Sequence, residues 1–258
     1  MTQILFLPIL FFMTDLTVDN ILPANVHHWN ELEVQKTKSG ERRQVLDGET
    51  EVFEHFEIHV TTLRSGLAPH GSHVHQDHEE LIIVKEGKVK QQIGDEIRIL
   101  GPGSIIFATP GDEHGLHNAG EENASYYVIK WKARNAEEQA DGKDHASWMI
   151  DWQELDFKET EKGGRRHIVR QPTSMLHELE MHATTLDEGK ISHGQHTHKD
   201  EEIIVVLKGK VEELIDGTPH EVEAGSVIYL SSMIPHGIRN IGKGACTYIA
   251  MRWIPKTP

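Results

Sequence analysis

A single cysteine, Cys246, is the only thiol in this 258-residue chain, so no internal disulfide can brace it and no multi-thiolate metal centre can form. Positive charge is scarce too. There are 26 Lys and Arg against 41 Asp and Glu, a formal net charge of −15. A surface of that sign repels phosphate backbones and anionic headgroups, which argues against nucleic acid as a partner. No apolar run reaches the roughly 20 residues of a membrane-spanning helix, so no integral membrane segment is expected. No long stretch repeats its apolar residues at helical spacing either, which points away from an α-helical fold.

The longest apolar run is residues 4–13, ILFLPILFFM. It has the length of a signal-peptide core, and Leu22-Pro23-Ala24 offers a small residue for cleavage, but no Lys or Arg precedes it. The competing readings are a translation start at Met13, an extra strand, or a contact in a homodimer. Cytoplasmic and exported placements both stay open. Residues 1–20 are therefore set apart from the fold as an N-terminal segment.

Histidine, by contrast, is abundant, with 19 in the chain. Its placement follows an internal repeat. Trp29-Asn30-Glu31-Leu32 returns 123 positions later as Trp152-Gln153-Glu154-Leu155. Gly40-Glu41-Arg42-Arg43 returns as Gly163-Gly164-Arg165-Arg166, and Glu57-Ile58-His59-Val60-Thr61-Thr62-Leu63 as Glu180-Met181-His182-Ala183-Thr184-Thr185-Leu186. One deletion then reduces the offset to 122, and this holds through Gly87/Gly209, His114/His236, Asn118/Asn240 and Trp131/Trp253. Two similar domains are expected, at 21–135 and 146–258. The polar stretch ARNAEEQADGKD around the boundary reads as a linker, set at 136–145, with room for one helical turn.

Each half reads as short strands broken by turns. In Phe56 to Thr61, Phe56, Ile58 and Val60 share one face while Glu57, His59 and Thr61 share the other. Gly94-Asp95 and Asp216-Gly217 sit between alternating runs as hairpin turns. This pattern predicts an all-β fold, a sandwich or barrel.

His73-Val74-His75-Gln76-Asp77-His78-Glu79-Glu80 precedes an apolar run in the first half, and His196-Thr197-His198-Lys199-Asp200-Glu201-Glu202 does so in the second. Histidines one residue apart on a β-strand project to one side, and a carboxylate entering the next strand can reach the same point. With His114 and His236 added, the sequence resembles the cupin superfamily, whose first motif is a glycine, HxH, a glutamate and, after six residues, a second glycine. Glu80 and Glu202 satisfy that spacing against Gly87 and Gly209, which selects them over Glu79 and Glu201. The second motif, a proline, then a histidine, three residues and an asparagine, matches His114…Asn118 and His236…Asn240. Gly66 and Gly189 stand one residue further from HxH than usual, and Pro235 abuts His236 with no intervening glycine.

The resemblance implies two tandem antiparallel jelly-roll (cupin) barrels, a bicupin. Each would hold a divalent transition metal: His73, His75, Glu80 and His114 in one, His196, His198, Glu202 and His236 in the other. Three imidazoles and a carboxylate suit Fe, Mn, Ni, Co or Zn, and donor softness does not choose among them. The expected partner is a small-molecule substrate, an oxygenated metabolite, and the expected chemistry is of dioxygenase type. A metal-dependent sugar or uronate isomerase and a non-catalytic metal- or ligand-binding bicupin are the alternatives. Oxalate decarboxylases and two-domain quercetin dioxygenases share this arrangement in longer chains.

Further candidates surround these ligands. His70 and His193 stand three residues before the HxH pairs, as proton relays at the metal mouth or as solvated loop residues. Glu57/His59 and Glu180/His182 are acid–base or substrate-orienting groups if the polar strand face lines the barrel, and ordinary cross-strand pairs if it meets solvent. Arg42-Arg43 and Arg165-Arg166 would hold a substrate carboxylate or form surface ion pairs. His78 and His117 are expected in loops. Asn118 and Asn240 are expected to orient the loops that carry the last ligands.

Overall fold

The computed structural model describes residues 21–134 and 145–256. The N-terminal apolar run, the expected helical turn and most of the linker lie outside the described residues. Within them the backbone is strand and turn, with two single-turn 3-10 segments at Trp29–Glu31 and Trp152–Glu154. Among the described residues no helix is long and apolar enough to cross a membrane.

The first series of strands is β1 (Asn25–His27), β2 (Gln35–Lys36), β3 (Gly40–Gly48), β4 (Phe53–Leu63), β5 (Glu79–Glu86), β6 (Val89–Ile93), β7 (Glu96–Leu100), β8 (Ile105–Ala108), β9 (His114–Asn118) and β10 (Ala124–Ala133). The second is β11 (Trp148–Ile150), β12 (Lys158–Thr160), β13 (Gly163–Gln171), β14 (Leu176–Leu186), β15 (Glu201–Lys208), β16 (Lys210–Ile215), β17 (Thr218–Glu223), β18 (Val227–Leu230), β19 (His236–Asn240) and β20 (Cys246–Pro255). Each half opposes a seven-stranded antiparallel sheet to a three-stranded one, giving two jelly rolls whose sheets are not joined into a closed barrel. The orders are β11-β8-β5-β10-β4-β3-β2 with β7-β6-β9, and β1-β18-β15-β20-β14-β13-β12 with β17-β16-β19.

These orders contain an exchange of strands. β1 belongs to the first half but pairs with β18, and β11 belongs to the second but pairs with β8. Val26 of β1 enters the core of the second jelly roll, and Met149 of β11 enters that of the first. The Trp-x-Glu-Leu repeats continue the crossing. The Trp29 amide donates to Ser226 Oγ at 3.0 Å and the Trp152 amide to Ser104 Oγ at 3.1 Å. Gly225 and Gly103, both at positive φ, lie under these indoles, where a Cβ would sit 3.0 and 2.5 Å from the ring. Glycine alone fits there without displacing the tryptophan.

Strand alternation sorts the large sheets. On β4, Phe56, Ile58 and Val60 join an apolar cluster shared with Leu179, Met181 and Trp253 of the other half. The large sheets thus pack back to back, and the Phe53 and Phe56 rings lie 5.2 and 5.3 Å from Trp253, centroid to centroid. Their other faces turn inward. Burial on both faces explains why β5 and β15 read as continuous apolar runs instead of alternating ones.

Two buried carboxylates fasten this interface. Glu79 accepts hydrogen bonds from Trp131 Nε1 (2.8 Å) in its own half and from Thr173 Oγ1 (2.8 Å), Ser174 Oγ (2.7 Å) and the Met175 amide (3.2 Å) in the other. Glu201 mirrors it, accepting from Trp253 Nε1 (2.9 Å), Thr50 Oγ1 (2.7 Å) and the Glu51 amide (2.9 Å). Burial raises both carboxyls above the usual carboxylate range, against the pull of these donors. A buried carboxylate with this many donors is stabilising only while every donor is met. Glu79→Ala, which strands Trp131, Thr173 and Ser174, is expected to cost on the order of 3 kcal/mol in urea unfolding. A loss below about 1 kcal/mol would mean that the back-to-back apolar packing holds the halves together without the clasp.

Candidate metal centres

Residue parity on β5 builds the first centre. Glu79 faces the other half, so Glu80 must face the interior, where it meets His114 at the start of β9. The HxH pair approaches from the loop before β5. The pair does not lie in a regular strand, as its spacing suggested it would, but is held by an isolated bridge between His73 and His114, whose backbones exchange 3.0 Å hydrogen bonds. Extended backbone at that bridge is enough to project His73 and His75 to one side. The second centre repeats this with an isolated bridge between His196 and His236.

One donor atom from each of His73, His75, Glu80 and His114 falls within 4.8 Å of all the others. His196, His198 and His236 meet the same limit, and Glu202 joins them through His198 Nε2 at 3.0 Å and His236 Nε2 at 3.6 Å. The donor chemistry fits a cation. His114 Nδ1 donates to the Asp112 carbonyl at 3.0 Å and His236 Nδ1 to the Ile234 carbonyl at 2.9 Å, which leaves each Nε2 free to offer a lone pair. Both Nε2 atoms are buried without a hydrogen-bond partner. His73 Nε2 and His75 Nε2 face each other at 3.0 Å, a contact that calls for a proton or a metal between the lone pairs.

Electrostatics keep the two carboxylates and His73 in their binding forms, whereas His114 is raised against its burial by Glu80 and the Asp112 carbonyl, and His198 is raised by Glu202. Burial alone would raise the Glu80 carboxyl, but the imidazoles of His114 and His75 and the Lys130 ammonium, 3.5 Å away, hold it well below the usual carboxylate range. Glu202 is likewise held at about 2, with burial overcome by His198 and His236. Burial and the neighbouring His70 lower His73 to about 4, so its imidazole is neutral at physiological pH.

The polar face of β4 lines the interior. Glu57 and His59 border a cavity of about 320 Å³ that is also lined by His73, Glu80 and His114, and His182 borders one of about 620 Å³ with His196, His198 and His236. His59 Nδ1 lies 3.0 Å from Glu57 and His182 Nδ1 lies 2.9 Å from Glu180. The hydrogen bond to His59 helps hold Glu57 at about 2. The paired arginines divide their work. Arg42 and Arg165 pair with Glu57 and Glu180 at the cavities. Arg43 and Arg166 stack instead over Trp29 and Trp152, at 4.5 and 4.8 Å. His70 and His193 border the two cavities in exposed loops, their rings 4.2 and 4.1 Å from those of His73 and His196.

Two further expectations are corrected. His117 lies on β9, not in a loop, paired with Lys90 of β6, and its counterpart is Arg239. Asn118 and Asn240 do not orient the loops bearing His114 and His236. They sit at the far ends of β9 and β19, where Asn118 donates to the Leu63 and Glu122 carbonyls and Asn240 to those of Leu186 and Gly244. His78 is in a loop as expected, its ring 3.9 Å from that of His75. The loop before His236 manages without the motif glycine because Met233, at φ 60°, takes the place of Gly111, at φ 94°. Each amide bonds the second histidine's carbonyl, at 2.8 Å in both halves.

Sequence reasoning missed Lys130 and Arg252, which place a cation at each cavity, and Gln91 and Glu213, buried polar residues on β6 and β16. A signal was present for the last two. Val211, Glu213 and Ile215 share one strand face, as do Val89, Gln91 and Ile93, so a polar side chain interrupts an apolar stripe.

Among solved structures the chain is similar to protein YlbA from E. coli, at 15% identity over 90% of this chain and 91% of that one, with a TM-score of 0.68. It is also similar to a mutant of Bacillus subtilis oxalate decarboxylase (16% identity, 92% and 79% coverage, TM-score 0.68). Lactobacillus farciminis oxalate decarboxylase in a formate complex gives 13% identity, 90% and 86% coverage and a TM-score of 0.68. At such identities these likenesses speak for the fold alone. No curated protein matches the sequence. The cupin domain model matches residues 59–130 and again 182–252. With each match enclosing one histidine–glutamate cluster, and the two together covering more than half of the sequence, the chain belongs to the cupin family.

Proposed function

We propose that this protein is a metal-dependent enzyme acting on a small oxygenated metabolite, with dioxygenase-type chemistry. The observation that carries the reading is that each ligand cluster opens onto a cavity walled by further charged and proton-carrying groups, whereas a purely structural ion would be enclosed by its ligands. A bound divalent ion would supply a Lewis acid for the substrate's oxygens and, if redox-active, a meeting point with dioxygen. Arg42 and Lys130 in the first cavity, and Arg165 and Arg252 in the second, favour an anionic or strongly polarised substrate. The Glu57–His59 and Glu180–His182 pairs hold a proton between carboxylate and imidazole beside the cavity, which suits them to move one to or from a bound oxygen. Those same pairs favour a second reading, an isomerase that needs proton transfer without oxygen.

Protein purified without added metal is expected to contain about two equivalents of divalent transition metal per chain, falling to about one in His73→Ala and in His196→Ala. Elemental analysis decides this, and a wild-type protein that stays metal-free and gains no stability from added metal would remove the reading. With metal present, small hydroxy and keto acids and vicinal diols are expected to draw down dissolved oxygen at an oxygen electrode. Turnover that proceeds equally well under anaerobic conditions would select the isomerase. His182→Ala is expected to lower kcat about 100-fold with metal content unchanged. Unaltered kcat would assign His182 to binding or to structure.

A further inference from the structure

The two jelly rolls are not chemical copies. Gln91 on β6 and Glu213 on β16 occupy equivalent positions, both are fully buried, and both border the cavities onto which the histidine clusters open. In the first, Gln91 Nε2 donates to the Gln92 carbonyl at 3.2 Å, and Oε1 is left without a partner. In the second, Glu213 Oε1 accepts the Gly237 amide at 3.1 Å, and Oε2 is left without a partner. The unpartnered atom differs in kind. An amide oxygen can only accept, whereas the free oxygen of a neutral carboxyl carries the hydrogen and donates. The Glu213 carboxyl is fully buried with one amide donor and no cation paired with it, a setting that favours the neutral form, and burial pushes it up to about 8.

The geometry points to Glu213 as the hydrogen-bond donor that selects ligands with an acceptor oxygen, carboxylates above all, for the second cavity, while Gln91 makes the first cavity select ligands that offer a hydroxyl. The assignment deepens the reading of a small oxygenated substrate and rests on it. An unpaired buried polar oxygen is costly, so a ligand that completes the pair regains that cost on binding. Arg252 and Tyr248 border the same cavity and add positive and polar surface for a carboxylate. The larger second cavity, about 620 Å³ against 320 Å³, leaves room for it.

Acetate, which has acceptor oxygens and no hydroxyl, is the probe. In a His73→Ala background, which leaves the second cluster intact, cobalt(II) is loaded, its stoichiometry is measured, and acetate is titrated against the visible cobalt spectrum. Glu213→Leu removes the donor and is expected to weaken acetate about tenfold or more. Glu213→Gln keeps a donor, because its amide oxygen can accept the Gly237 amide while Nε2 turns to the ligand, and is expected to stay within about threefold of the Glu213 parent. In a His196→Ala background, Gln91→Leu is expected to leave acetate affinity in the first cavity within about threefold, because Gln91 offers that cavity an acceptor and no donor. Equal affinity in Glu213→Leu and its parent overturns the proposal, as does equal weakening in Glu213→Leu and Glu213→Gln. If Glu213→Leu fails to fold, Glu213→Met replaces it under the same criteria, and a loss of about tenfold in Gln91→Leu also overturns the proposal. Failure to take up cobalt at all would instead count against the metal-dependent reading. Saturation-transfer NMR with acetate on the zinc-loaded proteins repeats the comparison, and the same order of variants is required.

Discussion

Two adjacent carboxylates on one strand face opposite ways, and both functions of the large sheet follow from that alternation. Glu80 turns inward to the histidines, and Glu79 turns outward to hold a loop of the other half. Glu202 and Glu201 repeat the division. A strand cannot slip by one residue without exchanging the two, which would put a ligand into the interface and an interface residue into the cavity. The histidine–glutamate cluster and the packing of the halves therefore share one register. Apolar burial on the back face and ligand convergence on the front are two readings of the same pleat.

The repeat made the architecture legible. Matching motifs at a fixed offset implied two similar all-β units, and strand alternation in Phe56 to Thr61 already separated an apolar face from a polar one. Which face was inward could not be read, because a jelly roll whose outer face packs on a twin buries apolar residues on both sides of its large sheet. The exchange of β1 and β11 left no trace either. Each is three residues long, and nothing in a strand that short says which sheet it will complete.

The convergence of the histidines and glutamates was visible because spacing encodes it, while their surroundings were less so. Glu79 and Glu80 are chemically identical, and the choice between them rested on distance to a turn glycine. The roles of Arg42 and Arg43 likewise separate by parity alone, one beside Glu57 and the other over Trp29. His117 looked like a loop residue because it has no histidine counterpart, yet its place on β9 is kept by the pairing of that strand with β6. Glu213 was the opposite case. Its charge interrupts an apolar stripe, a mismatch between composition and burial of the kind that accompanies chemistry more often than packing.

The crossing of β1 and β11 carries an implication for descent. Each half lends the other a strand, a core residue and an indole over a glycine, so neither half is complete by itself. A single ancestral unit would have had a bare sheet edge and an unfilled core, both of which a second copy could supply through reciprocal arm exchange. Gene duplication would then have joined an obligate pair that was already intertwined. In a joined chain each copy can differ inside its own cavity, as Gln91 and Glu213 do, while both arms stay exchanged.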